Sequence, residues 1–94
     1  MHRFDSPFGS VVLTRERKRH ILIFHPDVAS CLRYFSETLA APERTIRSAY
    51  DPTVMICYRF LRRRRKYLAI VVKTGPHPFI LTAYLAKKVK KDII

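Results

Sequence analysis

The hydrophobic residues of this 94-residue chain change their spacing at Pro42, and this change constrains the fold more than any other feature. Before Pro42, over residues 28–39, apolar side chains recur every three or four positions, which is the spacing of one face of a helix. After it, over residues 54–61, apolar side chains alternate with their neighbours as they do in a strand. The order of the two patterns predicts an α+β domain with N-terminal helices packed on a sheet.

Prolines and capping residues set the limits of the predicted elements. Thr14 is a typical N-cap for a helix over 15–24, and Pro26 disfavours helical geometry at His25. Pro26 itself suits the first turn of a second helix, which Pro42 ends. The segments with strand character, of which the second is the weakest, are 11–13, 44–50, 54–61, 67–73 and 79–85. We therefore expect a roughly four-stranded antiparallel sheet, with a flexible arm over 1–9 and a short C-terminal helix over 86–94.

Length and charge narrow the class of protein. A chain of 94 residues makes one domain, 1–94, with a modest core. Its 19 Lys and Arg against seven Asp and Glu give a formal charge of +12, so a polyanion or an acidic protein is the expected partner. The apolar runs are far shorter than the roughly 20 residues that a membrane span needs, so no membrane partner is expected.

The sequence lacks the motifs of several common kinds of functional site. Cys31 and Cys57 stand in apolar runs without the spacing of a zinc site or a disulfide framework, which favours a reducing cytoplasm. The chain has no Walker loop, no GxGxxG and no HExxH motif, so nucleotide hydrolysis and zinc peptidase chemistry lose support. We expect neither a metal nor a cofactor.

Arginine dominates the positive charge, with twelve Arg among the 19 cations. Its planar guanidinium binds phosphate through two hydrogen bonds and stacks on bases, so RNA is the expected polyanion. The run 62–66 is too charged to be buried and forms a predicted hairpin tip, which either contacts phosphate or is a solvated turn. The candidate RNA contacts are Arg59, Arg62, Arg63, Arg64, Arg65, Lys66 and Lys73.

A few side chains are candidates for catalysis. His20 and His25 flank the predicted helix break, and two imidazoles can act as base and acid when an RNA 2′-OH attacks the neighbouring phosphate. Thr82 and Tyr84 share one face of the last strand and offer hydroxyls for hydrogen bonding to phosphate or for proton donation. The alternative is structural: His25 caps the second helix, His20 lies on the surface, and the two hydroxyl side chains pack across strands.

Short motifs follow one another in order along the chain, roughly over residues 10–90: Val11–Thr14, His20-Ile21, His25-Pro26-Asp27, Pro42, Tyr67–Lys73 and Ile80–Tyr84. This order resembles the barnase, EndoU, colicin and RelE-like ribonuclease superfamily, in particular its phage- and toxin-associated branch. The resemblance implies a helical N-terminal half packed on a four-stranded antiparallel sheet. It also implies RNA cleavage without a metal, leaving a 2′,3′-cyclic phosphate.

The same resemblance assigns roles to individual residues. The matching positions are His20 and His25 for the HI and HP histidines, Lys73 for the strand-end lysine, and Thr82 and Tyr84 for the TAY end. Asp27 departs from the Glu that is common after HP in the family, and its shorter side chain affects helix capping or the orientation of His25.

The sequence therefore predicts a metal-independent endoribonuclease-like protein that acts on RNA, as a toxin or an effector of a phage or mobile element. One histidine would be the general base, and Tyr84 or the other histidine the acid. Lys73, Thr82 and one or more arginines would stabilise the charge of the phosphorane. Two alternatives stay open: a non-catalytic basic module that binds nucleic acid, and an interaction protein covered by an acidic antitoxin or immunity protein.

Overall fold

One curled sheet of six strands makes up most of the computed structural model, which describes residues 1–90. The strands are β1 (His2–Ser6), β2 (Gly9–Leu13), β3 (Arg44–Arg47), β4 (Val54–Leu61), β5 (Lys66–Lys73) and β6 (Phe79–Ala86). Their order in the sheet is β1-β2-β6-β5-β4-β3. The helical segments are α1 (Arg15–Phe24), a 3₁₀ helix (Pro26–Tyr34) and α2 (Phe35–Ala40).

The predicted fold, helices packed on a four-stranded antiparallel sheet, is wrong. The sheet has six strands and is mixed, because β2 runs parallel to β6 through the pair Val12 and Phe79. The two α-helices are short, with ten and six residues. The predicted C-terminal helix is also wrong over residues 87–90, which are not helical, and the rest of it lies outside the described residues.

The predicted flexible arm is wrong as well, since it forms the β1–β2 hairpin. Ser6 closes the turn: its hydroxyl donates to the Gly9 carbonyl at 2.8 Å and accepts the Phe8 backbone N–H at 3.0 Å. Gly9 has φ +100°, a conformation that favours glycine, and Phe4 packs against the core. A short edge hairpin with few inward side chains has no visible period, so the sequence resembled an unstructured arm.

The first helix follows its local signals. Thr14 caps α1 by accepting the Arg17 backbone N–H at 3.1 Å, and α1 ends at Phe24 as predicted. The second helix begins at Pro26 but is 3₁₀ as far as Tyr34. A 3₁₀ helix has three residues per turn, so Val28 and Cys31 face the core together and Leu32 is only half-buried.

Apolar side chains are buried on both faces of the central strands. The helices cover one face, where Leu68, Ile70 and Val72 of β5 are fully buried in the larger cluster. A smaller cluster, here called the second face, includes Ile46, Ile56, Tyr58, Ala69, Tyr67, Val71, Tyr84 and Val89. Burial on both sides explains why β4 and β5 are almost continuously apolar.

Candidate active site

His25 and Tyr84, distant in sequence, meet beside the second face of the sheet. Their ring centroids are 6.1 Å apart and the rings are tilted by 42°. Tyr84 lies on β6 opposite Ala69 of β5, and α1, which delivers His25, packs beside β6. An imidazole and a phenol are thereby brought together beside β6.

The backbone of His25 explains this position. Its N–H donates to the Ile21 carbonyl at 2.7 Å at the end of α1, and its carbonyl accepts the Val28 N–H at 3.0 Å. Its φ of −133° and ψ of 68° are not helical, as expected before Pro26. The His25 side chain makes no capping hydrogen bond to the 3₁₀ helix, so the imidazole does not have the capping role considered as an alternative.

The surroundings of Tyr84 keep its phenol protonated. Partial burial raises the pKa of Tyr84 well above its ordinary value, and the neighbouring Tyr58 hydroxyl raises this pKa further. Tyr58 is fully buried, and its hydroxyl accepts the Lys90 backbone N–H at 3.4 Å. Near neutral pH Tyr84 is therefore a donor of a hydrogen bond or a proton, and it is not a base.

Thr82 lies on the same face as Tyr84. It is opposite Val71, and Tyr84 is opposite Ala69, two residues further along β5. An irregularity in the pairing follows, where Val72 pairs with Ile80 and Leu81 is skipped. The structure therefore brings His25, Thr82 and Tyr84 to one part of the molecule.

His20 lies elsewhere on α1. It is exposed, and its ring packs against Phe24 one turn later, with centroids 4.6 Å apart. The ring contact with Tyr84 is made by His25 and not by His20. The surface position considered for His20 as an alternative agrees with this geometry.

Lys73 is engaged by other side chains. Its Nζ donates to Asp51 Oδ2 at 2.9 Å and to Thr53 Oγ1 at 2.5 Å. Lys73 is the last residue of β5, four residues beyond Ala69, which corresponds to about 13 Å along a strand. The structure does not bring this ammonium to Tyr84.

The predicted phosphate-binding arginines lie at the other end of β5 from Lys73. Arg62, Arg63, Arg64 and Arg65 are exposed in the turn that joins β4 to β5, and Lys66 begins β5. Arg59 is ion-paired with Glu37, with 2.7 Å between Nη2 and Oε1, and it donates to the Ala41 carbonyl at 3.0 Å. The turn is therefore exposed as predicted, whereas Arg59 already has protein partners.

Sequence reasoning missed Tyr58. Alternation along β4 assigns Tyr58 to the same face as Val54 and Ile56, but a tyrosine in such a pattern is equally typical of a core. Only the register, in which Tyr58 is opposite Ala69 and Ala69 is opposite Tyr84, reveals that the two phenols are neighbours.

Comparisons of the chain with protein-family models, curated proteins and solved structures found no match. Within residues 1–90, His, Cys, Asp and Glu side chains do not gather in groups of three that could hold a metal ion. The helices of this part of the chain are too short or too polar to cross a membrane.

Proposed function

We propose that the protein is an endoribonuclease-like enzyme that cleaves RNA without a metal, with His25 as general base and Tyr84 as proton donor. The observation that carries the proposal is the contact between the imidazole of His25 and the phenol of Tyr84. Tyr84 takes the donor role because a phenol is protonated near neutral pH, and the burial that raises its pKa keeps it so. The motif order that resembles the ribonuclease superfamily assigns the same residues, His25, Thr82 and Tyr84, although the fold that this resemblance implies is not the fold of the chain.

The reaction uses the neighbouring 2′-OH as nucleophile. His25 takes the proton of the 2′-OH, the 2′-oxygen bonds to the adjacent phosphorus, and the bond from phosphorus to the 5′-oxygen breaks. Tyr84 gives its proton to the departing 5′-oxygen, and solvent exchange later restores both side chains. The products are a 2′,3′-cyclic phosphate and a 5′-hydroxyl, with the Thr82 hydroxyl stabilising the phosphorane by a hydrogen bond.

The test is incubation of the purified protein with labelled single-stranded RNA in EDTA, with the product ends mapped. We expect 2′,3′-cyclic phosphate ends, and no cleavage where the 2′-OH is replaced by hydrogen. His25→Ala and Tyr84→Phe should each lower the rate by about 10² to 10⁴, the usual contribution of a positioned proton-transfer group. Tyr84→Phe keeps the ring, so its melting temperature should stay close to that of the wild type.

Two histidines provide matched controls. His77 lies exposed in the turn between β5 and β6, and His20 is exposed on α1. His77→Ala and His20→Ala should cleave RNA at nearly the wild-type rate. Intact RNA with the wild-type protein, or loss of cleavage only in His77→Ala, would contradict the proposal.

A non-catalytic RNA-binding module is the second candidate. The observation that favours it is that Lys73 and His20 lie away from Tyr84, which leaves fewer groups to stabilise a phosphorane. Under this function the wild-type protein binds RNA in EDTA without cutting it. A cytoplasmic toxin or mobile-element effector held by an acidic antitoxin or immunity protein is compatible with either candidate, because the charge of +12 favours acidic partners.

A further inference from the structure

An open groove of about 540 Å³ lies between the helices and the tip of the β4–β5 hairpin. Its walls come from the 3₁₀ helix and α2 on one side, and from the end of β4 and the following turn on the other. The groove lies on the helix side of the sheet, whereas Tyr84 belongs to the second face. It is therefore separate from the candidate active site.

Both carboxylates that line the groove already have hydrogen-bonding partners within the protein. Glu37 is ion-paired with Arg59, and Glu43 accepts the Phe60 backbone N–H at 2.8 Å. The remaining charged lining residues are Arg33, Arg62, Arg63 and Arg64. Within residues 1–90, none of these arginines has a carboxylate partner. The groove consequently carries an excess of positive charge that suits an anion with several charges.

Arg33 and Tyr34 form a cation–π pair at one wall of the groove. The guanidinium carbon of Arg33 lies 4.9 Å from the Tyr34 ring centroid, and Arg33 Nη2 donates to the Tyr34 hydroxyl at 2.9 Å. Aromatic rings and guanidinium groups are the surfaces on which unpaired bases stack. A nucleotide therefore finds a stacking surface and phosphate-binding groups within one groove.

The hairpin tip brings four arginines together, and it holds one of them, Arg65, in an unfavourable backbone conformation. Arg65 has φ +53°, a left-handed conformation that glycine or asparagine adopts more readily. The Arg64 and Arg65 N–H groups both donate to the Leu61 carbonyl, at 3.1 and 2.8 Å, and this tight turn concentrates four like charges. A bound polyanion would offset the repulsion among these four charges.

We infer that this groove binds single-stranded RNA, with phosphates on Arg62, Arg63 and Arg64 and one base stacked on the pair of Arg33 and Tyr34. Single-stranded RNA is the substrate class because a base inside a duplex is not free to stack on protein. The inference rests on the proposed function for its choice of RNA. It adds an anchoring site that lies apart from the residues of the cleavage step.

Fluorescence anisotropy with a labelled, 2′-O-methylated single-stranded RNA of about 16 nucleotides tests the groove, because that probe lacks the 2′-OH needed for the proposed cleavage and matches the upper site size of single-strand binding folds. The groove variant is Arg63→Ala with Arg64→Ala, and the control of equal charge is Arg15→Ala with Arg19→Ala on the exposed surface of α1. Loss of two phosphate contacts should reduce the slope of log K against log salt by about 1.4 in magnitude. The control should leave the slope close to that of the wild type.

The stacking surface needs its own variant. Tyr34→Leu should raise the Kd for this RNA by about tenfold, the cost of losing one stacked base. Inorganic polyphosphate, which has no bases, should bind Tyr34→Leu and the wild type equally. Circular dichroism and the melting temperature show whether Tyr34→Leu is folded, and the arginine pair gives an independent result on the exposed turn.

Equal losses in the groove variant and the control would overturn the inference, because binding would then reflect only the general charge. The inference would also be overturned if the groove variants weakened binding of an acidic polyglutamate peptide but left RNA binding unchanged, because the groove would then bind an acidic protein. Failure of the proposed function can be distinguished from failure of this inference. If only the proposed function fails, RNA stays intact in EDTA while RNA binding still depends on the groove residues. Conversely, cleavage with groove-independent binding would refute this inference alone.

Discussion

At the scale of single residues, one proline decides where the candidate base lies. Pro26 prevents His25 from continuing α1, and the backbone of His25 is satisfied by Ile21 and Val28 on either side of the break. The imidazole is thus free to contact Tyr84. This part of the site could be predicted, because the break depends on adjacent residues. The ion pair of Lys73 could not, because Asp51 lies 22 positions away and only the pairing of Val54 with Lys73 brings them together.

Asp51 should give the protein an acid-sensitive stability. Hydrogen bonds from the Thr53 side chain, and then from Lys73 and the Thr53 backbone, lower the pKa of Asp51 from 3.8 to about 2. Because the folded pKa lies below the unfolded one, this carboxylate stabilises the fold above about pH 4, and the contribution is lost as the pH falls towards 2. Asp51→Asn should lower the melting temperature at neutral pH, with a difference from the wild type that shrinks through this window.

Melting temperatures between pH 7 and pH 2 check this prediction. Asp5→Asn is the control, since Asp5 is exposed on β1 and makes no side-chain hydrogen bond within the described residues. A constant difference between Asp51→Asn and the wild type at every pH would show that the carboxylate charge does not contribute.

At the scale of elements, the strands with a clear period were predictable, and so was the edge strand β3 within the weaker segment 44–50, but the N-terminal edge of the sheet was not. The alternation over 54–61 and the apolar run that contains Leu68 and Ile70 predict β4 and β5 well, because burial itself produces these patterns. β1 was missed because its only inward apolar residue is Phe4. The parallel pairing of β2 with β6 rests on Val12 and Phe79 alone, a long-range contact that leaves no local pattern.

The β4–β5 hairpin should become more stable when its strained residue is replaced by glycine. Arg65 has φ +53°, and a left-handed conformation costs a side-chain-bearing residue roughly 1–2 kcal/mol. Glycine avoids this cost but loses about 0.5–1 kcal/mol through its more flexible unfolded chain. Arg65→Gly should therefore raise the free energy of unfolding by about 0.5–1 kcal/mol, measured by urea denaturation.

Arg63→Gly is the matched control within the same turn, because Arg63 does not have a positive φ. It removes the same charge without relieving strain, so it should not increase the free energy of unfolding. Equal gains in the two variants would mean that charge repulsion, and not backbone conformation, limits the hairpin.

At the scale of the whole molecule, repulsion among positive charges should make folding more favourable as salt is added. The net charge is +12, and within residues 1–90 the ion pairs between side chains are Arg59 with Glu37 and Lys73 with Asp51. Partly exposed pairs of this kind contribute only about 0–1 kcal/mol each, so screening them loses little. Screening the repulsion of the excess charge gains more, because the Debye length shortens from about 30 Å at 0.01 M salt to about 3 Å at 1 M.

We therefore expect the melting temperature to rise with sodium chloride concentration, measured by calorimetry at neutral pH. Lys87→Glu with Lys88→Glu provides the comparison, because both lysines are exposed after β6. Each change replaces a positive charge by a negative one and lowers the net charge by two, so the net charge falls from +12 to +8. This variant should melt higher than the wild type in dilute salt and respond less to added salt. A melting temperature of the wild type that falls as salt is added would contradict this prediction, because the two partly exposed ion pairs would then contribute more than the repulsion among the excess positive charges.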